Sequence, residues 1–304
     1  MRYWLHVIRF IFFGNYFYGI CAVALSIETA YQQAISFNSV LCYLFIFCIT
    51  VLYYTHAYLH TSYNAPPPHH TRDIWYAKNQ KLVFGSQILL TLISLFLVLI
   101  FINGWQPHFK YVPLQTWLFL LLALAALGMY YGGWNPGKSV ISLRHTGWLK
   151  PLIIGFAWAC CVSFLPMVFY DLNDKSNKTY SWITLFLFIK NWLYISVLCV
   201  LFDIKDYATD ANQALKTYVV THGLRKTIFN FVIPVTVIAH CCLLLTAYSK
   251  GFHASRIVFN TIPFILLIIV AWSMHRRKSI LYYLAVIDGL MLIKALCGIA
   301  GSIF

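Results

Sequence analysis

Apolar residues run along this chain in blocks of about twenty, separated by short polar breaks, and no block shows the strict alternation of a half-buried strand. A helix needs roughly 17 to 25 such residues to cross the hydrocarbon core of a bilayer. The blocks fall at 7–30, 38–60, 81–103, 113–131, 151–170, 181–202, 227–247, 255–274 and 281–303, which predicts nine helices. Lipid offers no partner to backbone N–H and C=O groups, so only helices or closed barrels span it. Uninterrupted runs of this length exclude barrel strands. The pattern predicts an all-α polytopic membrane protein, a nine-transmembrane-helix bundle forming a single transmembrane domain over 1–304.

Composition agrees with that solvent. The chain is 61% hydrophobic, 18% aromatic and only 10% charged, against about 25% charged residues in soluble domains. Its start, MRYWLHVIRFIFFGNYFYGICAVALSIETA, is basic and then apolar. The apolar run is too long and aromatic for a secretory signal and lacks a small-residue cleavage site, so a retained first helix is expected. All nine cysteines lie inside apolar runs and none forms a CxxC pair, which argues against disulfides and a zinc ribbon.

The net charge of +14 is unevenly distributed. With the N-terminus inside, fifteen Lys and Arg residues fall in inner segments and five (Lys110, Lys175, Lys178, Lys250 and Arg256) in outer loops. This bias predicts a cytoplasmic N-terminus, cytoplasmic loops after the second, fourth and sixth spans, and a C-terminus on the opposite side. Topology and attraction to anionic membrane lipids account for the charge better than a nucleic-acid partner does. The longest inner connections, 61–80, 132–150 and 203–226, face one compartment, where a rigid scaffold would display functional loops.

The last of these contains FDIKDYATDANQALKTY. The chain has only eight acidic residues, yet Asp203, Asp206 and Asp210 fall within eight positions. Their i, i+3, i+7 spacing puts them on one face of a helix continuing from the sixth span. Clustered carboxylates repel unless a cation intervenes, and Mg²⁺ takes one or two of them while sharing its other positions with substrate phosphates. Lys205, Lys216, Arg225 and Lys226 nearby suit the rest of an anionic group. A solvated acidic turn balanced by basic neighbours is the competing reading.

The stretch DIKDYATDANQALKT, followed by Gly223 in THGLRKT, resembles the second aspartate-rich motif of the UbiA-type intramembrane prenyltransferases. Asp203, Asp206, Asp210, Lys216 and Thr217 match, and Ala214 stands at the usual glycine position. The resemblance extends to nine helices, with loops after the second and sixth. It implies that Asp203, Asp206 and Asp210 hold Mg²⁺, and that Lys216 and Thr217 help bind an isoprenyl or other lipid diphosphate. Metal and basic residues then stabilise the leaving diphosphate. A hydrophobic acceptor attacks the allylic cation in a dry cavity that excludes water.

The first family motif should carry aspartates at the end of the second span, where this chain reads VLYYTHAYLHTSYNAPPPHHTRD, with no acid before Asp73. His56 and His60 stand in that region. Imidazole suits zinc, copper or iron better than magnesium, and this HxxxH pair lacks the glutamate of HExxH. Three roles stay open for His56 and His60: a transition-metal site, phosphate binding with Arg72 alongside, or packing at the interface with Tyr53, Tyr54 and Tyr58. In the loop YYGGWNPGKSVISLRHTGWLKP, Lys138, Arg144 and Lys150 lie where relatives place basic residues against the diphosphate.

Lys190, Asp288 and Lys294 fall within spans. Intramembrane ionisable groups face a cavity or one another. At 1.5 Å per residue, Asp288 lies about 14 Å from the cytoplasmic end and the two lysines about 20 Å, which makes a pairing of Asp288 with Lys190 or Lys294 feasible within side-chain reach. Such a pair would line a substrate cavity or fix helix register. Two functions follow: a divergent prenyltransferase, or a non-catalytic lipid-binding or assembly protein on the same fold. A secondary transporter is disfavoured because no internal repeat or pair of broken helices is evident.

Overall fold

The computed structural model describes residues 2–64, 71–130, 147–174, 182–212, 215–274 and 282–304, and every regular element among them is helical. Helices α1 (Arg2–Phe13), α2 (Tyr16–Gln33), α3 (Val40–Asn64), α4 (Thr71–Lys78), α5 (Gln80–Trp105) and α6 (Leu114–Tyr130) form the first part. They are followed by α7 (Lys150–Ser163), α8 (Leu165–Asp174), α9 (Trp182–Asn212), α10 (Tyr218–His222), α11 (Leu224–Thr227), α12 (Ile233–Lys250), α13 (Ala254–Ser273) and α14 (Asp288–Ile303). Among the described residues six helical stretches are long and apolar enough to cross a membrane, and the bent α1–α2 pair gives a seventh. Val40–His56 and Leu114–Gly128 are apolar but shorter.

Six elements close a ring: α2 packs on α14, α14 on α13, α13 on α12, α12 on α9, α9 on α7, and α7 back on α2. Helices α3 and α5 lie outside α2, and α6 lies outside α7. Helix α5 exposes Leu82, Phe84, Leu89, Leu92, Phe96 and Leu99, the surface expected of a helix facing lipid. The interior of the ring holds Leu25, Tyr194, Leu201, Val232, Leu243, Leu267 and Ile287.

Two expected single helices are broken. The first span bends by 63° between α1 and α2, where Asn15 takes a left-handed conformation (φ 64°), which asparagine tolerates better than most residues. The carbonyl of Phe13 freed there accepts from the Tyr76 hydroxyl (2.8 Å) and the Arg72 guanidinium (3.0 Å), both on α4. Arg72 also donates to Asn15 Oδ1 at 2.6 Å. The fifth span breaks between α7 and α8, where Pro166 has no N–H for the Val162 carbonyl. The Thr29 hydroxyl of α2 donates to that carbonyl instead, at 2.8 Å. Two π turns also interrupt the ladder, at Ile228–Val232 before Pro234 and at Tyr283–Ile287 before Asp288.

Candidate functional site

Helix α9 continues past the last apolar turn to Asn212, so Asp203, Asp206 and Asp210 are all helical. Asp203 and Asp210, two turns apart on one face, are 1% and 6% exposed. The side chain of Asp206 lies outside the described residues. Lys150, the first residue of α7, donates to Asp203 Oδ1 at 2.9 Å. The chain then turns back: Leu215 N–H donates to the Asp210 carbonyl at 2.9 Å. Thr217 caps α10 by accepting from Val220 N–H, a usual role for threonine at a helix start. Lys216 beside it is exposed.

Gly147 ties the loop before α7 to this turn. A Cβ at 147 would stand 2.6 Å from the Lys216 carbonyl carbon and the Thr217 nitrogen, both backbone atoms that cannot swing aside. Gly147→Ala is therefore expected to force the two segments apart at a cost of about 1–3 kcal/mol. Limited proteolysis should show faster cleavage near 215–217 than in the wild type, and an unchanged rate would contradict this contact.

The other expected site residues are dispersed. Lys138 and Arg144 lie outside the described residues, as does the side chain of His60. His56 is exposed near the end of the apolar part of α3. Arg72 is 5% exposed and serves the α1–α2 break described above. Asp288 has Arg72 and Lys205 within electrostatic reach, and Cys199, one turn before Asp203, has Asp203, Lys150 and Asp288 within reach. One end of the bundle thus gathers both acids and these three cations.

Asp288 does not pair with Lys190 or Lys294. Both lysines turn to Glu28, the only glutamate in the chain: Lys190 Nζ lies 3.3 Å from Oε1 and Lys294 Nζ 2.7 Å from Oε2. Gln32 joins the cluster, accepting from Lys190 at 2.8 Å and donating to Glu28 at 2.7 Å and to Asn260 at 3.1 Å. Glu28, Lys190 and Lys294 are each no more than 3% exposed. Glu28 falls near the end of the first apolar block, where its side chain could equally have reached the interface. Its i, i+4 relation to Gln32 was the available signal that this face is polar inside the bundle.

Among the described residues no three His, Cys, Asp or Glu side chains gather as metal ligands. Asp203 and Asp210 nevertheless supply hard oxygen donors on one face, a chemistry that fits one Mg²⁺ shared with phosphate oxygens. The end of α3 adds no carboxylate. A cavity of about 390 Å³ is lined by Gln115, Thr116, Phe119, Phe164, Trp182 and Leu185. It lies at the start of α9, about 30 Å along the helix from Asp203.

Fold and site together define an integral membrane protein built as a helical bundle with an acidic helix end. No family model and no curated protein matches the sequence. A solved structure of a digeranylgeranylglyceryl phosphate synthase in membranes superposes with a TM-score of 0.56, covering 96% of this chain and 98% of that one at 15% identity. The two chains share a fold.

Proposed function

We propose that this protein binds an isoprenyl or other lipid diphosphate at the acidic end of α9 and transfers the prenyl group to a hydrophobic acceptor. The observation that carries this reading is the pair of buried carboxylates, Asp203 and Asp210, on one face of a helix end in a fold shared with a membrane synthase. In this reading the bundle is one domain of nine spans, with α3 and α6 as the shorter ones. The N-terminus and the acidic end are cytoplasmic.

Asp203, Asp206 and Asp210 would hold Mg²⁺, which when bound neutralises charge on the diphosphate. Lys216, with Lys138 and Arg144 from the preceding loop, would bind the diphosphate oxygens as point charges and, for Arg144, as a planar fork. Thr217 holds the turn that presents Lys216. Lys150 orients Asp203 through their ion pair. His56 and His60 occupy the place of the missing first motif as imidazole donors to phosphate.

Two observations favour a second reading, a non-catalytic lipid-binding or assembly protein: α3 brings no carboxylate, and Lys150 already neutralises Asp203. Thermal stabilisation by an isoprenyl thiodiphosphate separates the two. A Mg²⁺-dependent rise in melting temperature, lost in Asp206→Asn, is expected for the diphosphate site. No rise with any chain length in folded protein supports the second reading.

A further inference from the structure

The cavity at the start of α9 lies at the opposite end of that helix from its acidic face, and diphosphate binding gives it no role. Its volume of about 390 Å³ falls in the range of small-ligand pockets, which are mostly apolar with a few placed polar groups. Three aromatic side chains supply the apolar part. Phe119 of α6 stacks on Phe164, at the break between α7 and α8, with centroids 4.7 Å apart and planes at 18°. Phe188 of α9 packs on Phe164 at 5.0 Å, so this aromatic wall is fixed before any ligand arrives. Trp182 opens α9 and is exposed, as tryptophans are where a helix enters the membrane interface.

The polar part consists of donors that lack acceptors. Thr116, in the first turn of α6, lines the cavity and is 1% exposed. Among the described residues its hydroxyl has no hydrogen-bond partner. Thr184 also lines the cavity and donates to Gln33 Oε1 at 3.3 Å, while the buried Gln33 Nε2 has no partner among the described residues. A buried hydroxyl or amide left unpaired is costly, so the component this site lacks is an acceptor. No Asp, Glu, Lys or Arg is among the described residues that line the cavity, and nothing there would offset a charge on the occupant.

An uncharged acceptor on an apolar body, held at the depth where α6 and α9 begin, is the chemistry of an ester carbonyl in a neutral lipid. We propose that this cavity binds an acylglycerol, its ester carbonyl accepting from the Thr116 hydroxyl and its acyl chain lying against Phe119 and Phe164. The site is about 30 Å along α9 from Asp203 and stands or falls independently of the diphosphate reading.

Photolabelling with a diazirine-bearing diacylglycerol tests the site in the full-length protein, reconstituted in nanodiscs of dialkyl-ether phosphatidylcholine that bring no ester carbonyl of their own. Label is expected on peptides containing Phe119 or Phe164. Dioctanoylglycerol should displace it at a concentration about fivefold below that needed for the ether analogue dioctylglycerol, the worth of one net hydrogen bond. Thr116→Val keeps the shape and should bring that ratio close to one, whereas Thr116→Ser should retain it. Equal displacement by ester and ether in the wild type overturns the proposal without recourse to any variant, since water then satisfies the hydroxyl. An ester preference that survives in folded Thr116→Val overturns it too, as does labelling confined to other peptides. Dioctanoylphosphatidylcholine should compete at least about tenfold more weakly than dioctanoylglycerol, for want of groups to offset its charges. Equal competition by the two would overturn the assignment to a neutral lipid.

Discussion

Glu28→Gln is expected to destabilise the purified protein by about 3–5 kcal/mol, the usual cost of removing one partner from a buried ion pair. The substitution preserves shape but leaves Lys190 and Lys294 facing a neutral amide, with Gln32 as the remaining acceptor for Lys190. Both ammonium groups are nearly inaccessible to water, so solvent cannot take over the role of the carboxylate. Lys294→Met should cost less, because Glu28, Lys190 and Gln32 remain mutually bonded. Replacing all three charged residues by neutral ones of similar volume should return much of the loss, since buried ion pairs add little over well-packed apolar residues. Denaturant unfolding in detergent, followed by tryptophan fluorescence, gives the comparison. A loss below about 1 kcal/mol for Glu28→Gln would mean the cluster is not the internal support described here.

The second large effect is expected at Arg72. Its guanidinium donates to the Phe13 carbonyl and to Asn15 Oδ1, and hydrogen bonds from a charged donor contribute about 1.5–3 kcal/mol each. Arg72→Ala should therefore cost about 2–4 kcal/mol, allowing for relaxation at the α1–α2 bend. A direct role for Arg72 in diphosphate binding makes the opposite prediction: loss of thiodiphosphate affinity with stability kept. Melting temperature and ligand affinity measured on the same preparation distinguish these outcomes.

The helical architecture was legible because lipid leaves the backbone few alternatives and the apolar blocks are long. The acidic face of α9 was legible for a related reason: three acids at helical spacing directly continue an apolar run, and α9 runs to Asn212. The bend at Asn15 was not, because the hydrophobic pattern continues across it without a proline. What stabilises the bend comes from Arg72 and Tyr76, more than fifty residues later. The break at Phe164 did carry a signal, Pro166, but its remedy, the Thr29 hydroxyl, is a tertiary contact. The pairing of Asp288 with a lysine failed for a geometrical reason. Counting residues from a helix end gives depth in the membrane but not the direction a side chain faces around the helix. Depth alone could not show that Lys294 turns towards Glu28 and away from Asp288.

Chain order gives the Glu28 cluster a consequence for biogenesis. Glu28 is synthesised 162 residues before Lys190 and 266 before Lys294. Helix α2 must therefore enter the bilayer carrying an acid whose basic partners do not yet exist, and it cannot settle into its final packing until α9 and then α14 arrive. The charge that joins the earliest and latest spans makes completion of the bundle a late event, completed only when the last helix has been inserted.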